Sequence, residues 1–121
     1  MGTNTNLDRV FGYGFGSIYR LYIEKVERKE RTRDELDEVL SWLTGYTPAQ
    51  LAEVAGSEKT LKEFVDEAPE WNPRRSAITG VICGVRVEDI EDPTMQAIRY
   101  MDKVVDELAR GKALEKIKRA V

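Results

Sequence analysis

The sequence predicts an all-α fold, a compact bundle of about five to seven short helices with at most traces of extended chain near residues 11–15 or 85–87. Proline follows a capping residue at three helix starts, and glycine stands where several helices would end. Between these signals the apolar residues recur at three- and four-residue spacing. The 121 residues suffice for one hydrophobic core but not for two. We therefore expect a disordered or tag-like N-terminus at 1–10 and a single helical domain at 11–121.

The first element begins with aromatic residues that alternate with glycines. Phe11, Tyr13 and Phe15 follow a spacing of two, which favours an extended segment, and Ser17 is placed to cap a helix. From Phe15 to Val26 the apolar residues keep helical spacing. A glycine-rich loop before a helix can bind an anion on its free N–H groups. A packing turn is the favoured interpretation, because the lysine of a phosphate loop and a preceding strand are both missing.

Capping signals predict three short helices between residues 32 and 69. The best of them is the capping box of Thr32 and Glu35, in which each side chain satisfies a backbone N–H of the first turn. The expected N-caps are Thr32, Thr47 and Ser57, and the expected ends are at Gly45, Gly56 and Pro69. The inward residues are Leu36, Val39, Leu40, Leu43, Leu51, Val54, Leu61, Phe64 and Val65.

The segment after Asn72 is the least regular. Asn72 and Pro73 repeat the cap-plus-proline signal, so the sequence predicts a helix from Pro73 to about Gly84. Residues 78–87 are also rich in β-branched side chains, which leaves a strand as the alternative there. Cys83 lies in this apolar run, and we expect it to pack in the core rather than to act as a nucleophile.

Two helices are expected to close the chain. Asp92 caps a long helix from Pro93 to Arg110, which Gly111 ends, and a short basic helix follows. The long helix should bury Met95, Ile98, Met101, Val105 and Leu108 and should expose Arg99, Asp102, Lys103, Asp106, Glu107 and Arg110. The acidic residues Glu88, Asp89, Glu91 and Asp92 form a solvated linker in the favoured interpretation, because their spacing lacks the pattern of a calcium loop.

Composition limits the possible chemistry. The chain has no histidine, which removes the commonest general base, the catalytic triads and the histidine-containing metal sites. Its single cysteine excludes an internal disulfide and fits a reducing compartment. No apolar run is long enough for a membrane span, and the start lacks the features of a signal peptide. We expect a cytoplasmic protein without metal, cofactor or catalytic residue, and an enzyme is the less favoured possibility.

The charges are distributed unevenly along the chain. Residues 34–71 carry ten acids against two lysines, whereas residues 93–121 carry seven bases against four acids. The net charge of -3 argues against nucleic-acid binding. We expect the acidic middle of one copy to contact the basic end of another, with Leu21, Trp42 and Trp71 as further contact residues at helix edges. The sequence thus favours a non-enzymatic interaction protein that self-associates, as a dimer.

The basic cluster at residues 28–33 is interpreted as a solvated turn rather than a nucleic-acid site. The two helices on either side of Thr44, Gly45 and Tyr46 resemble a helix-turn-helix only superficially. The second of them, at residues 48–55, has no arginine or lysine with which to read a major groove. Both observations argue against nucleic acid as the partner.

The arginines suggest a competing prediction to self-association. In this prediction the protein binds a small anionic ligand, either as a binding protein or as an enzyme. Arg74 and Arg75 lie in the first turn after Asn72, where free N–H groups favour negative charge, and a guanidinium binds carboxylate or phosphate through two parallel N–H groups. Arg86 and Tyr100 complete the predicted site.

The distance between these arginines limits that prediction. On a continuous helix Arg74 and Arg86 would lie about 18 Å apart. Only a chain reversal near Gly84, or a second subunit, could bring them to one site. The favoured alternative is that Arg74, Arg75, Arg86 and Arg99 form salt bridges with the acidic segment 34–71.

Several longer strings resemble one bacterial family. They are Glu27-Arg28-Lys29 with Arg31-Thr32, Trp42-Leu-Thr-Gly45-Tyr46, the run from Ile78 to Asp89, and Arg99-Tyr100 with Asp102-Lys103 and residues 106–109. From about Phe11 to its end the chain is similar to the domain-of-unknown-function family DUF 2200. The resemblance implies a stand-alone, uncharacterised bacterial protein and carries no activity, substrate or catalytic residue. Glu30 departs from the family pattern, which often has glycine at this exposed turn.

Overall fold

The structure, a computed structural model, describes residues 9–119 and is mostly α-helical, which confirms the predicted fold class. Its helices are α1 (Phe15–Arg28), α2 (Arg33–Thr44), α3 (Pro48–Ala55), α4 (Leu61–Asp66), α5 (Pro93–Ala109) and α6 (Leu114–Ile117). Two 3₁₀ turns span Pro73–Ala77 and Val87–Asp89, and strands β1 (Val81–Ile82) and β2 (Val85–Arg86) form an antiparallel hairpin. Residues 9–11 are also helical, so the predicted boundary at residue 11 falls within that helical segment. Residues 1–8 of the predicted tag-like segment lie outside the described residues.

The aromatic and glycine-rich segment before α1 is a packing turn, as favoured from the sequence. The extended segment expected from the spacing of Phe11, Tyr13 and Phe15 is wrong, because Phe11 is helical and Phe15 begins α1. Gly14 pairs with Thr60 in an isolated bridge, and the N–H of Phe15 donates to the carbonyl of Lys59 at 3.0 Å. This turn starts α1 at Phe15, so the prediction that Ser17 caps the helix is wrong. The N-cap is Gly14, whose extended backbone ends the preceding segment and which has no side chain to donate or accept.

Helices α2 and α3 begin as the sequence predicts. Thr32 and Thr47 both form capping boxes, and Gly45 ends α2 in the left-handed conformation at a φ of 84°. The predicted cap of α4 is wrong, because Thr60 rather than Ser57 occupies the N-cap. Thr60 is followed at the third position by Glu63, which completes a capping box, whereas the hydroxyl of Ser57 donates to the preceding turn of α3.

The core surrounds α5, which contacts α1, α2, α4, α6 and β1. An aromatic stack joins α1, α4 and the turn after α2: the ring of Phe64 lies 3.8 Å from that of Phe15 and 4.4 Å from that of Tyr46, centroid to centroid. Glu107 was expected outside, but it is buried. Its carboxylate binds the guanidinium of Arg119, with the Nη2 to Oε2 distance at 2.9 Å, because the end of the chain folds back over α5.

The prediction of a helix from Pro73 to Gly84 is wrong. After the 3₁₀ turn the chain reverses in the hairpin, where Cys83 has a φ of 51° and Gly84 a φ of 80°. Both central residues of this two-residue turn have positive φ, which matches the twist of the strands and excludes a right-handed helix. The strand alternative for residues 78–87 is therefore correct in part. Cys83 is exposed at the hairpin tip, so its predicted place in the core is also wrong.

Glu30 occupies a left-handed position in the turn between α1 and α2, with a φ of 65°. Glycine adopts this conformation without a steric penalty, whereas in other residues the Cβ atom comes too close to the backbone. The glycine that the family pattern often has at this position therefore has a structural reason.

Within residues 9–119 no helix is both long enough and apolar enough to cross a membrane. The same part of the chain has no group of three or more cysteine, aspartate or glutamate side chains arranged to hold a metal ion. In the acidic linker, Glu88 accepts the N–H of Gly80 and pairs with Arg86, while Asp92 caps α5 at the N–H of Met95. These carboxylates thus have local structural partners.

Three buried tyrosines predict a loss of stability in alkaline solution. Burial, together with a hydrogen bond to Asp37, raises the pKa of Tyr19 from 10.0 to about 12, and burial raises the pKa of Tyr46 to about 12. Burial beside Asp102 raises the pKa of Tyr22 well above 10.0. In the unfolded chain these phenols lose their protons near pH 10, so above that pH the unfolded state binds fewer protons than the folded state. This contribution to stability is complete below pH 10 and is lost as the pH rises through about 12.

We therefore expect the Tm to fall between about pH 10 and 12, and to fall less steeply in Tyr46→Phe, which removes one of the three phenols. Thermal unfolding followed by circular dichroism at successive pH values measures both slopes. Equal slopes in the variant and the original chain would contradict the assignment to Tyr46.

Candidate functional site

The first candidate site is a pocket of about 330 Å³ between α4, the 3₁₀ turn Pro73–Ala77 and the start of α5. We call it the Trp71 pocket. Its polar and aromatic lining consists of Asp66, Trp71, Arg75, Thr94, Gln96 and Tyr100. The indole N–H of Trp71 donates to the carbonyl of Val65 at 3.3 Å, and the amide of Gln96 donates to that of Val87 at 3.1 Å. Both side chains are thus held by backbone groups.

The structure brings together two of the four predicted ligand-binding residues. Arg75 and Tyr100 both line the Trp71 pocket, although they are far apart in the sequence. Arg74 instead donates to the carbonyl of Arg119 at 3.1 Å, and Arg86 pairs with Glu88 at 2.8 Å. The hairpin does reverse the chain at Gly84, but Arg74 and Arg86 are not part of the pocket lining.

The other interpretation of these arginines, salt bridges with residues 34–71, is wrong for the described part of the chain. Arg86 pairs with Glu88 and Arg99 with Asp102, because each partner is close in sequence. Arg74 and Arg75 donate to backbone carbonyls. The acidic segment is bound by other cations, in the pairs Arg31 with Glu35, Arg33 with Asp37, Lys59 with Glu67, Lys62 with Asp66, and Lys118 with Glu38.

The remaining lining of the Trp71 pocket was not predicted. Pro93, Gln96, Ala97 and Tyr100 follow a three-to-four residue spacing, which puts them on one face of α5. That spacing could have predicted a shared face of α5 for these residues. No sequence pattern connects this face with Trp71, because the contact depends on how the turn after α4 packs against α5.

A polar cluster joins the hairpin tip to the middle of the fold. The hydroxyl of Tyr22 donates to Asp102 at 2.7 Å, and Arg99 donates to the other carboxylate oxygen at 2.7 Å. Arg99 also donates to the sulfur of Cys83 at 3.4 Å. These contacts link α1, α5 and the turn of the hairpin, which explains how an exposed two-stranded element is held against the helices.

The second candidate site is a cleft along the C-terminal half of α5, which we call the basic cleft. Two adjoining hollows of about 770 and 610 Å³ form it and share Asp106 and Arg110. Its cations are Lys25, Lys29, Lys103, Arg110, Lys112 and Lys116, and its carboxylates are Asp106 and Glu107. Six cations facing two carboxylates make this surface strongly positive.

Part of the positive charge in the basic cleft is not neutralised nearby. Asp106 pairs with Lys25 at 3.1 Å and with Arg110 at 2.8 Å, and Glu107 pairs with Lys112 at 3.4 Å. Among residues 9–119, Lys29, Lys103 and Lys116 have no carboxylate within 4.0 Å. The predicted basic end of the chain supplies most of the cleft, whereas the contribution of α1 was missed, because it is distant in sequence.

The predicted acidic middle also forms a surface, which we call the acidic patch. It consists of Glu53, Glu63 and Glu67 with Lys59, which pairs with Glu67 and feels the charges of the other two. Their negative charges raise the pKa of Lys59, with the hydrogen bond to Glu67 as the largest cause. The charge of Lys62 also acts on Glu63, but Lys62 pairs with Asp66, so the patch of three carboxylates and Lys59 stays negative.

The comparisons with known proteins agree with the resemblance. Residues 9–119 match the model of DUF2200, described as an uncharacterized protein conserved in bacteria. The chain belongs to the DUF2200 family. The crystal structure of uncharacterized protein SP1917 is similar to it, with 41% identity, a TM-score of 0.88, and coverage of 93% of this chain and 92% of that one. A comparison with curated proteins finds no match.

Membership of DUF2200 establishes the family and the fold but assigns no activity. Its description names no substrate, ligand or partner, and neither does that of SP1917. The function of the DUF2200 chain therefore has to be inferred from its own surfaces.

Proposed function

We propose that this DUF2200 protein is a non-enzymatic interaction protein that forms a homodimer, in which the basic cleft of each copy binds the acidic patch of the other. The observation that carries the proposal is the separation of the two surfaces. At the start of α1, the backbone N–H of Phe15 donates to the carbonyl of Lys59, which belongs to the acidic patch. At the other end of α1, Lys25 and Lys29 line the basic cleft. The 14 residues of α1 span about 21 Å, more than two Debye lengths at physiological salt.

At this separation the basic cleft and the acidic patch of one copy cannot neutralise each other. Both surfaces are therefore available to a second copy. Opposite surface charges on two partners steer their encounter and orient the complex. Because every copy carries both surfaces, two reciprocal contacts satisfy a two-fold dimer and close it. The charge distribution thus favours association between like chains.

Exposed apolar side chains add a hydrophobic contribution. Val81 is 56% exposed and lies in the wall of the basic cleft, and Leu21 is 58% exposed midway along α1. Trp42 and Trp71, expected at the interface from the sequence, are instead half-buried against the core. The apolar part of the proposed interface is therefore Val81 and Leu21 rather than the tryptophans.

Charge reversal tests the dimer. One variant, Lys29→Glu with Lys112→Glu and Lys116→Glu, leaves three cations against five carboxylates and makes the cleft acidic. Another, Glu53→Lys with Glu67→Lys, makes the patch basic. We expect each variant alone to dimerise at least about tenfold more weakly than the original chain, because like charges then face each other. An equimolar mixture should dimerise again, since both contacts then join opposite charges. Sedimentation velocity over a range of protein concentrations measures each state.

Two substitutions elsewhere, Arg9→Glu and Glu91→Lys, are matched controls, because both residues are exposed, lie on other elements than Leu21, and lie outside the cleft and the patch. They should leave the dimer unchanged, and added salt should weaken it. A chain that stays monomeric at high concentration, or a dimer that neither salt nor the paired variants affect, would refute the proposal.

We also propose a cytoplasmic location. Its support is the single cysteine, whose exposed thiol suits a reducing compartment. The absence of histidine from the chain supports a role in binding rather than in catalysis.

A further inference from the structure

We propose that the Trp71 pocket binds a small monocarboxylate that carries an aromatic or short apolar group. This inference does not depend on dimerisation, because the pocket shares no lining residue with the basic cleft. It rests on a guanidinium without a carboxylate partner, on a phenol whose accessible part faces the pocket, and on the apolar side chains between them.

Arg75 supplies the charge for the carboxylate. Its Nη1 donates to the carbonyls of Asn72 at 3.0 Å and Trp71 at 3.5 Å, which leaves the N–H groups of Nη2 and Nε for a ligand. Among residues 9–119 no carboxylate lies within 4.0 Å of it, although the side chain is half-buried. A guanidinium in this situation favours an anion, and a carboxylate matches its paired N–H groups.

Tyr100 supplies a second polar group. It is only 7% exposed, but its hydroxyl oxygen is not cut off from solvent, since Ser41 Oγ is the one buried side-chain polar atom without a partner among residues 9–119. Because Tyr100 lines the Trp71 pocket, the part of it that remains accessible faces the pocket. An oxygen of a ligand in the pocket can therefore replace water as the partner of this hydroxyl. The first turn of α5 also lines the pocket, and the positive end of a helix dipole favours negative charge.

The rest of the lining decides the kind of carboxylate. The ring of Trp71, together with Val65, Pro93 and Ala97, gives the pocket apolar walls suited to an aromatic or aliphatic group. Its volume of about 330 Å³ lies at the lower end of the range for ligand sites. Asp66 is also in the lining, and its charge disfavours a ligand with more than one negative group.

A titration with sodium benzoate, followed in ¹H–¹⁵N correlation spectra, tests the proposal. We expect saturable shifts of the indole N–H of Trp71 with a Kd on the order of 1 mM, and no shift of the indole N–H of Trp42, which lies outside the pocket. Benzamide, the neutral analogue, and inorganic phosphate, which lacks the apolar group, should each bind at least about tenfold more weakly.

Variants identify the residues responsible. Arg75→Gln should raise the Kd for benzoate at least about tenfold, Arg75→Lys less, and Tyr100→Phe several-fold. Arg74→Gln is the matched control, because the neighbouring Arg74 binds the backbone at Arg119, and it should leave the Kd unchanged. The same spectra report whether each variant is folded.

Three results would overturn the proposal. They are the absence of any saturable shift of Trp71, equal binding of benzamide or phosphate, and equal weakening by Arg74→Gln and Arg75→Gln. Without a saturable shift, the pocket does not bind benzoate. Equal binding of benzamide or phosphate would mean that neither charge nor apolar contact selects the ligand. Equal weakening by both variants would mean that the guanidinium of Arg75 does not bind the carboxylate.

Discussion

Replacement of Phe64 by alanine is expected to lower the free energy of unfolding by about 3–5 kcal/mol, a large part of the stability of a domain of this size. The side chain is fully buried and its ring stacks on Phe15 and Tyr46 at once. Truncation removes both stacking contacts and leaves a cavity where α1, α4 and the turn after α2 meet. The surrounding rings are held by their own helices, so the site can collapse only in part.

Urea unfolding of the original chain and of Phe64→Ala measures this loss. Tyr13→Ala is the matched control, because Tyr13 is also aromatic but is 42% exposed. Its backbone carbonyl accepts the N–H of Leu61, and that bond survives the substitution. The control should change the stability by less than about 1 kcal/mol. Comparable losses in both variants would contradict a central role for the aromatic stack.

Replacement of Gly16 by alanine is expected to destabilise the fold by at least about 2 kcal/mol, although alanine is the better helix former by about 1 kcal/mol. A Cβ atom at Gly16 would lie 2.3 Å from the carbonyl oxygen of Ala55. The obstacle is backbone at the end of α3, so a rotamer change cannot relieve the contact. Either α1 or α3 must shift, and the aromatic stack beside them shifts with it.

Gly14→Ala is the control for this substitution. Gly14 precedes the same helix, its φ of -67° suits any residue, and a Cβ there meets no atom within 4 Å. Its effect should stay below about 1 kcal/mol, the usual difference between glycine and alanine at an N-cap. Denaturant unfolding of both variants distinguishes the two positions. A neutral Gly16→Ala would mean that α1 and α3 are not in close contact at this point.

Local signals account for the parts of the fold that the sequence predicted well. The capping boxes at Thr32 and Thr47 and the cap-plus-proline start at Asp92 are each formed by residues within one helical turn. Their hydrogen bonds need no distant partner, so the pattern alone is informative. The same reason explains the end of α2 at Gly45, where only the local backbone conformation matters.

A helix was favoured over the strand alternative at residues 78–87 because the local signals there compete. Asn72 and Pro73 do begin a helical turn, but it is a 3₁₀ turn that ends at Ala77. Short apolar runs fit a helix and a strand equally well, and the positive φ of Cys83 is unusual for a residue other than glycine or asparagine. Lys103 and Arg99 of α5 hold the hairpin through Val81 and Cys83, so the choice depended on a helix that comes later in the chain.

The helical class, most helix starts, the family and the segregation of charge could thus be read from the chain alone, because each depends on neighbouring residues or on composition. Which charges and side chains meet depends on how the helices pack. Packing around α5 brings Arg75 to Tyr100 and adds Lys25 and Lys29 to the basic cleft. It also buries Glu107 under Arg119. These pairs are distant in sequence or cross an element boundary, and side-chain contacts of that kind follow from how helices pack against one another rather than from any local periodicity.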